Sequence, residues 1–279
     1  MTESTGPLDL LVCVKRVPMV GGRVVLTDDG QDVDTRMSGF TVSPHEECAV
    51  EEAVRITERI GGTVTVLTLG PTEATEQLRD LLALGAHRGV LLETDGREWG
   101  PIATAAAIGQ AVRDLEPAAF PLILFGNEAA DTGGYQVGIR VAHALERPCA
   151  TGVKRLELSG AGLRAARERG DTQEVFEVPL PAVVTVKEGI NLPRYPSLPG
   201  RLRAKRAQIT VLQPRWQPDG LRKTGLRVPA AASRQAQLLG RGVDAVPELV
   251  RLLGELGVLP PVARPAVGEP AATGTVQQA

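Results

Sequence analysis

Between residues 8 and 145, short apolar runs alternate with segments of helical periodicity, and that alternation limits the chain to very few architectures. Residues 8–17 read as a nearly continuous apolar strand, of the kind covered on both faces in a parallel sheet, with Lys15 and Arg16 near its end. Residues 43–60 follow as a helix, because Ser43 supplies an N-cap, Pro44 a first-turn proline and Glu46 the third-position acid of a capping box. Ala49, Val50, Ala53, Val54 and Ile56 give this helix an apolar face, and Gly61-Gly62 stops it. The pattern then predicts strands over 63–69, 89–92 and 121–125 and helices over 72–84, 101–115 and 135–145. Buried strands separated by helices imply crossover connections, hence an α/β fold with a doubly wound, mostly parallel sheet.

Beyond residue 152 the texture changes. The runs 153–158, 163–169, 174–178 and 182–186, joined by Ser159-Gly160 and Gly170-Asp171, predict antiparallel hairpin strands added to that sheet. Residues 213–241 are rich in Pro, Gly, Arg and Gln and lack periodicity, which predicts an extended arm. An amphipathic helix over 244–256, with Val246, Leu249, Val250 and Leu253 on one stripe, precedes a small, Pro-rich tail over 260–279 that is expected to be disordered. The domain division expected is therefore 1–212 for the α/β body, 213–259 for the arm and its helix, and 260–279 for the tail.

Several function classes lose support at this level. A formal net charge of -2 offers no bulk field for nucleic acid or a membrane surface, so any electrostatic partner must meet a local patch. The apolar start is too short for a span and has neither signal-peptide nor transit-peptide character, which leads to the expectation of a cytoplasmic protein with no membrane insertion. Cys13, Cys48 and Cys149 lie far apart without a C-x-x-C, arguing against zinc or a disulfide framework and for buried thiols. His45, His87 and His143 are too scattered for a metal triad. No Walker lysine motif, G-x-G-x-x-G or nucleophile elbow is present, and Val20-Gly21-Gly22 is too sparse to replace one. The acid pairs Glu46-Glu47 and Glu51-Glu52 read as the solvated face of the first helix, leaving no catalytic acid–base pair and no expectation of an enzyme.

Two stretches carry chemistry. Residues 126–138, Gly-Asn-Glu-Ala-Ala-Asp-Thr-Gly-Gly-Tyr-Gln-Val-Gly, connect a buried strand to a helix, where open α/β sheets bind ligands. Glycines admit a phosphate close to the backbone, and the amides of the following helix would hold its charge; a plain Gly-rich connection is the competing reading. Residues 186–209 combine Pro193, Pro196 and Pro199 with Lys187, Arg194, Arg201, Arg203, Lys205 and Arg206 around the apolar Ile190, Leu192, Tyr195 and Leu198. The prolines predict a preshaped extended loop over 191–200, and an apolar anchor inside a cationic rim suits docking of an acidic partner. A solvated basic loop with its apolar residues tucked onto its own sheet is the alternative.

Taken together, Val12-Cys13-Val14-Lys15-Arg16-Val17, the run from Pro44-His45-Glu46-Glu47-Cys48 to Ala53, Leu84-Gly85-Ala86-His87-Arg88-Gly89, the 131–138 loop, Asn191-Leu192-Pro193-Arg194-Tyr195, Leu198-Pro199 and Ala204-Lys205 keep the order found in one family. The chain resembles the β subunit of electron transfer flavoproteins over residues 8–258. The resemblance implies an adenine nucleotide α-hydrolase-like fold and a heterodimer in which the α subunit holds most of the FAD site while this subunit closes one side. It further implies a structural AMP, a loop that docks flavin-dependent dehydrogenases, and electron delivery to a quinone reductase or other acceptor, with the C-terminal arm and helix packing on the partner subunit. Matched position by position, the AMP site falls on Cys13, Ser43, Pro44, His45, Glu46 and Leu69 and on the loop that includes Asn127, Asp131, Thr132, Gly133, Gly134, Tyr135, Gln136, Val137 and Gly138. The recognition loop becomes 189–203, with Ile190 where the family often carries its anchoring leucine and Leu192, Arg194, Tyr195, Arg201 and Arg203 around it.

One departure keeps the nucleotide open. Family members that hold AMP carry Asn-Gln-Thr-Gly where this chain reads Tyr135-Gln136-Val137-Gly138, and Gln-Val-Gly also occurs in electron-bifurcating relatives that hold a second FAD there. AMP is preferred because the Asp-Thr pair of the bifurcating loop is not reproduced in register, and Arg140 could add phosphate charge in either case. A stand-alone adenine-nucleotide sensor built on the same sheet is a further alternative, although it leaves the 189–203 loop without a task.

Overall fold

A computed structural model of the chain describes residues 6–19, 21, 24–115, 120–160, 162–221, 223–229 and 237–259. It forms two compact units, 1–228 and 229–279. In the first unit, β1 (Leu10–Val14), β4 (Val64–Gly70), β5 (Arg88–Glu93), β6 (Leu122–Gly126), β7 (Cys149–Val153), β11 (Ala182–Val186) and β12 (Ile209–Leu212) build one sheet in the order β12-β5-β4-β1-β6-β11-β7. Every pairing within it is parallel. The helices are α1 (Pro44–Ile60), α2 (Thr75–Leu84), α3 (Pro101–Leu115), α4 (Val137–Ala144) and α5 (Leu198–Arg206).

The strand alternation sends side chains to two cores. Leu10, Val12 and Val14 join Val50, Val54, Leu78 and Leu81 of α1 and α2 on one face, while Leu11 and Cys13 join Ile108 and Val112 of α3 and Val141 of α4 on the other. A sheet covered on both faces has no room for polar alternation, which is why β1 reads as Leu-Leu-Val-Cys-Val. The mostly parallel α/β fold expected from the sequence is the fold found.

Several local expectations change. Residues 182–186 are not a hairpin strand: β11 lies inside the parallel sheet between β6 and β7. A short, fully apolar run has the same appearance in either setting, so only its neighbours decide. The predicted strand 153–158 divides into β7, in the main sheet, and β8 (Arg155–Ser159), which with β9 (Gly162–Arg169) and β10 (Thr172–Pro179) makes a separate three-stranded antiparallel sheet. That sheet contributes Leu156, Leu163, Ala165 and Val178 to the α1 side of the core. The first predicted strand stops at Val14; Arg16–Pro18 (β2) pairs antiparallel with Phe40–Val42 (β3) in a small ribbon.

Residues 219, 223 and 226 are held to the body of the first unit. The Asp219 carboxylate accepts from the Ala103 amide in the first turn of α3, Lys223 pairs with Asp32 and Glu98, and the Leu226 amide donates to the Gly30 carbonyl. In the second unit, α6 (Val246–Glu255) buries none of its residues. The tail expected over 260–279 lies outside the described residues. No helix among them is long and apolar enough to cross a membrane.

The turn from α1 to β4 has the tightest backbone approach. Gly62 has φ +105, and a methyl group there would lie 1.9 Å from the Leu8 carbonyl oxygen. Gly62→Ala should therefore cost about 1–3 kcal/mol, read as a lower urea midpoint at unchanged m-value.

Candidate functional site

The order of the strands places a crevice. From β1 the sheet grows through β4, β5 and β12 on one side and through β6, β11 and β7 on the other, so the direction of winding reverses between β1 and β6. Parallel sheets bind ligands beyond the carboxyl ends of their strands at such a point. Cys13 stands near that end of β1 and Leu69 near that end of β4, Asn127 follows β6, and residues 43–46 start α1. The loop of residues 127–136 leads from β6 to α4.

Glu46 organises the β1 side. Its Oε1 accepts from the Lys15 amide at 3.0 Å and its Oε2 from the Ser43 amide at 3.2 Å, so one carboxylate caps α1 and ties it to the end of β1. Only 6% of Glu46 is exposed, contrary to the expectation of a solvated acid. Burial pushes its pKa up to about 8 against the pull of hydrogen bonds from Ser43 and Lys15. Burial, and then the neighbouring Glu46 charge, push the Cys13 thiol upward. Gly126 makes room for this arrangement, since a methyl group on it would lie 2.5 Å from Glu46 Cγ.

The loop after β6 is held at its base and open at its far end. The Asn127 amide donates to the Val186 carbonyl at 2.8 Å, and its side-chain oxygen accepts from Thr185 Oγ1 at 2.8 Å. Ser43 Oγ accepts from the Ala130 amide at 3.0 Å, and Lys15 pairs with Asp131 at 2.6 Å. His45 Nδ1 accepts from the Glu188 amide at 2.9 Å, which leaves Nε2 to face Glu128 Oε1 at 3.3 Å. His45 is thus half-buried between the two loops rather than a free surface histidine. Pro44 and Thr132 are exposed.

Gly133 and Tyr135 both adopt positive φ, +54 and +55. Around Gly134 a methyl group would meet nothing within 4 Å, and among the described residues no hydrogen bond reaches the Gly134 or Tyr135 amides. A hydrogen bond to Glu128 raises the Tyr135 pKa. Gln136 is the N-cap of α4 without a side-chain cap bond; its Oε1 accepts instead from Arg140, at 2.9 and 3.2 Å. Half-buried Val137 begins α4, and Gly138 leaves no room for a side chain, since a methyl group there would lie 2.8 Å from Thr185 Cγ2. An uncapped helix start with free amides and an adjacent guanidinium has the chemistry of a phosphate cradle. The crevice carboxylates Asp131 and Glu128 already face Lys15 and His45, which limits their repulsion of an anion.

The second stretch departs from the extended loop expected over 191–200. Ser197 caps α5 by accepting from the Gly200 amide at 3.1 Å, so residues 198–203 are helical and Pro199 lies in the first turn. Ile190 is half-buried against the core, whereas Leu192 and Tyr195 are 83% and 96% exposed, and Leu198 and Leu202 are exposed as well. Arg201 and Arg203 are exposed, but Arg194 is not a free rim charge: it hydrogen-bonds to Glu51 and Glu58. The apolar residues at 192 and 195 are therefore not tucked onto the sheet, and the side chain expected as anchor, Ile190, is.

Lys15, Glu51, Glu128 and Thr185 lie outside the site residues expected from the sequence. Glu51 did carry a signal, because Cys48, Glu51, Glu52, Arg55 and Glu58 recur at helical spacing as a polar stripe. Cys149 is exposed on the edge strand β7 rather than buried. Among the described residues no cluster of His, Cys, Asp and Glu is arranged to hold a metal ion.

Comparison with known proteins bears on this geometry. Residues 33–215 match the family model for the electron transfer flavoprotein domain. Electron transfer flavoprotein subunit beta of Bacillus subtilis is 36% identical over 213 residues, 74% of this chain and 79% of the relative. The subunit beta of Mycobacterium tuberculosis is 34% identical over 246 residues, covering 84% and 92%, and that of Bradyrhizobium diazoefficiens is 34% identical over 260 residues, covering 90% and 100%.

Glu46 gives the site a pH signature. With a folded pKa of about 8 against 4.5, the native state keeps a proton that the unfolded chain has lost between those values. This group therefore makes stability fall as pH rises through that window. Urea titrations at pH 5 and pH 8 should show a smaller decline for Glu46→Gln than for the parent; equal declines would place the titration elsewhere.

Proposed function

The chain belongs to the electron transfer flavoprotein family, and from that premise we propose that it is a β subunit that holds AMP between β1 and β6, closes one side of an FAD site on an α subunit, and docks flavin-dependent dehydrogenases through residues 189–203. The observation that carries the reading is the gathering of the family-matched positions, from Cys13 to Gly138, around one switch-point crevice whose loop has free amides. When bound, the flavin supplies one-electron chemistry. The chain's own residues would hold the AMP phosphate at the Gly134 and Tyr135 amides and the start of α4, with Arg140 contributing charge. Ser43, Glu46 and Lys15 fix the opposite wall. This work would take place in the cytoplasm, with electrons leaving to a quinone reductase or another acceptor.

Docking is supported by the exposed Leu192, Tyr195 and Leu198 beside Arg201 and Arg203. Exposed aromatic and aliphatic side chains on an ordered loop lose little entropy on contact, and the cationic rim steers an acidic partner. Leu192, rather than the core-packed Ile190, is the anchor in this reading.

Purification with the α subunit, followed by flavin and nucleotide counting, tests the reading. One flavin and one AMP per heterodimer are expected. Two flavins would identify a bifurcating subunit with a second FAD, and a stable monomer releasing adenine nucleotide without a flavin-bearing partner would favour the sensor. Leu192→Ala should slow dehydrogenase-driven reduction about 5–30-fold, consistent with a loss of roughly 1–2 kcal/mol at a contact of this kind, while leaving flavin content unchanged. Charge reversal at Arg201 and Arg203 should slow it more at low salt, because charges are screened over about 10 Å at 0.1 M.

A further inference from the structure

One face of α1 is devoted to residues 191–194. Asn191 Nδ2 donates to the Cys48 carbonyl and to Glu52 Oε2, both at 3.0 Å, and Arg55 donates to the Leu192 carbonyl at 3.1 Å. Glu51, only 2% exposed, accepts from the Arg194 amide at 3.3 Å and its Nε at 2.9 Å on Oε2, and from Arg194 at 3.2 Å and Arg55 at 2.5 Å on Oε1. Glu58 receives the other edge of the Arg194 guanidinium at 2.6 and 2.9 Å. Burial raises the Glu51 pKa, but the arginine hydrogen bonds outweigh it and the net displacement is downward. The carboxylate is thus held in its charged form by the loop it holds.

We propose that Glu51 is the positioning residue of the docking surface: through Arg194 and Arg55 it fixes the backbone of residues 191–194 so that Leu192 and Tyr195 stay turned to solvent. The inference rests on the reading of residues 189–203 as the docking loop. Leu192 and Tyr195 would gain by collapsing onto neighbouring apolar surface, as Ile190 has done. What opposes the collapse is main-chain hydrogen bonding, since the Arg194 amide and the Leu192 carbonyl both end on side chains of α1. A buried ion pair is a weak source of net stability compared with apolar packing, but its fixed directions select one loop conformation. Asn191 adds a side-chain attachment to the same face of α1 three residues earlier.

The test uses the complete heterodimer carrying Glu51→Gln, Arg194→Gln or Arg194→Lys, with Leu192→Ala as a separate control. Amide hydrogen exchange of residues 190–197 in the free heterodimer reads loop order, and dehydrogenase-driven reduction reads docking. Glu51→Gln and Arg194→Gln should each speed that exchange about 10-fold or more. They should raise the KM for the electron transfer protein about 3–10-fold with kcat within about twofold, and Arg194→Lys should fall between them and the parent. Unchanged exchange and KM overturn the proposal, as would kcat and KM damage that tracks a general loss of melting temperature and flavin. Arg194→Gln, in the loop, keeps the test decisive if Glu51→Gln fails to fold. If Leu192→Ala leaves transfer untouched, the docking reading fails and takes the docking role of Glu51 with it, while exchange still decides whether Glu51 orders the loop.

Discussion

The contact on which both candidate sites depend is the seating of α1 against the ends of β1 and β6. It is made by a buried carboxylate, Glu46, that accepts amides from Lys15 and Ser43, and it is possible because Gly126 has no side chain. A carboxyl group at a helix start satisfies orphan amides there. From that seat the first turn of α1 forms one wall of the crevice between β1 and β6. Its next three turns carry the stripe from Cys48 to Glu58 that receives residues 191–194.

Charge in this protein is local rather than global. A net charge of -2 conceals an arrangement in which Glu51 and Glu58 of α1 pair with Arg194, while Arg201, Arg203, Lys205 and Arg206 stand exposed on α5. Glu46 and Glu51 show how environment separates two identical side chains. Glu46 answers to burial and backbone amides, and its pKa rises; Glu51 answers to two guanidinium groups, and its pKa falls. The difference suits their surroundings, since direct arginine hydrogen bonds compensate a buried charge more fully than amides do.

What could be read from the chain was what depends on near neighbours. The capping sequence Ser43-Pro44-His45-Glu46 located α1, and the apolar runs located β1, β4, β5 and β6, because burial on both faces leaves no alternative composition. The glycine-rich loop could be placed between β6 and α4 on the same grounds. The nature of β11 could not, since five apolar residues look alike in a hairpin and in a parallel core. Likewise, acids recurring on a helix normally mark water, and nothing local to Glu51 announces that Arg194 lies across from it.

The sequence by itself determined the layering, the helix starts and the place of the glycine-rich loop, all consequences of periodicity and backbone chemistry within a few residues. The tertiary structure alone decided that β11 lies in the sheet, that Ile190 is packed while Leu192 is exposed, and that Glu46 and Glu51 are buried. Those outcomes turn on contacts between residues up to 143 positions apart. Such pairings are set by how the sheet brings distant segments together, not by the preferences of any one segment.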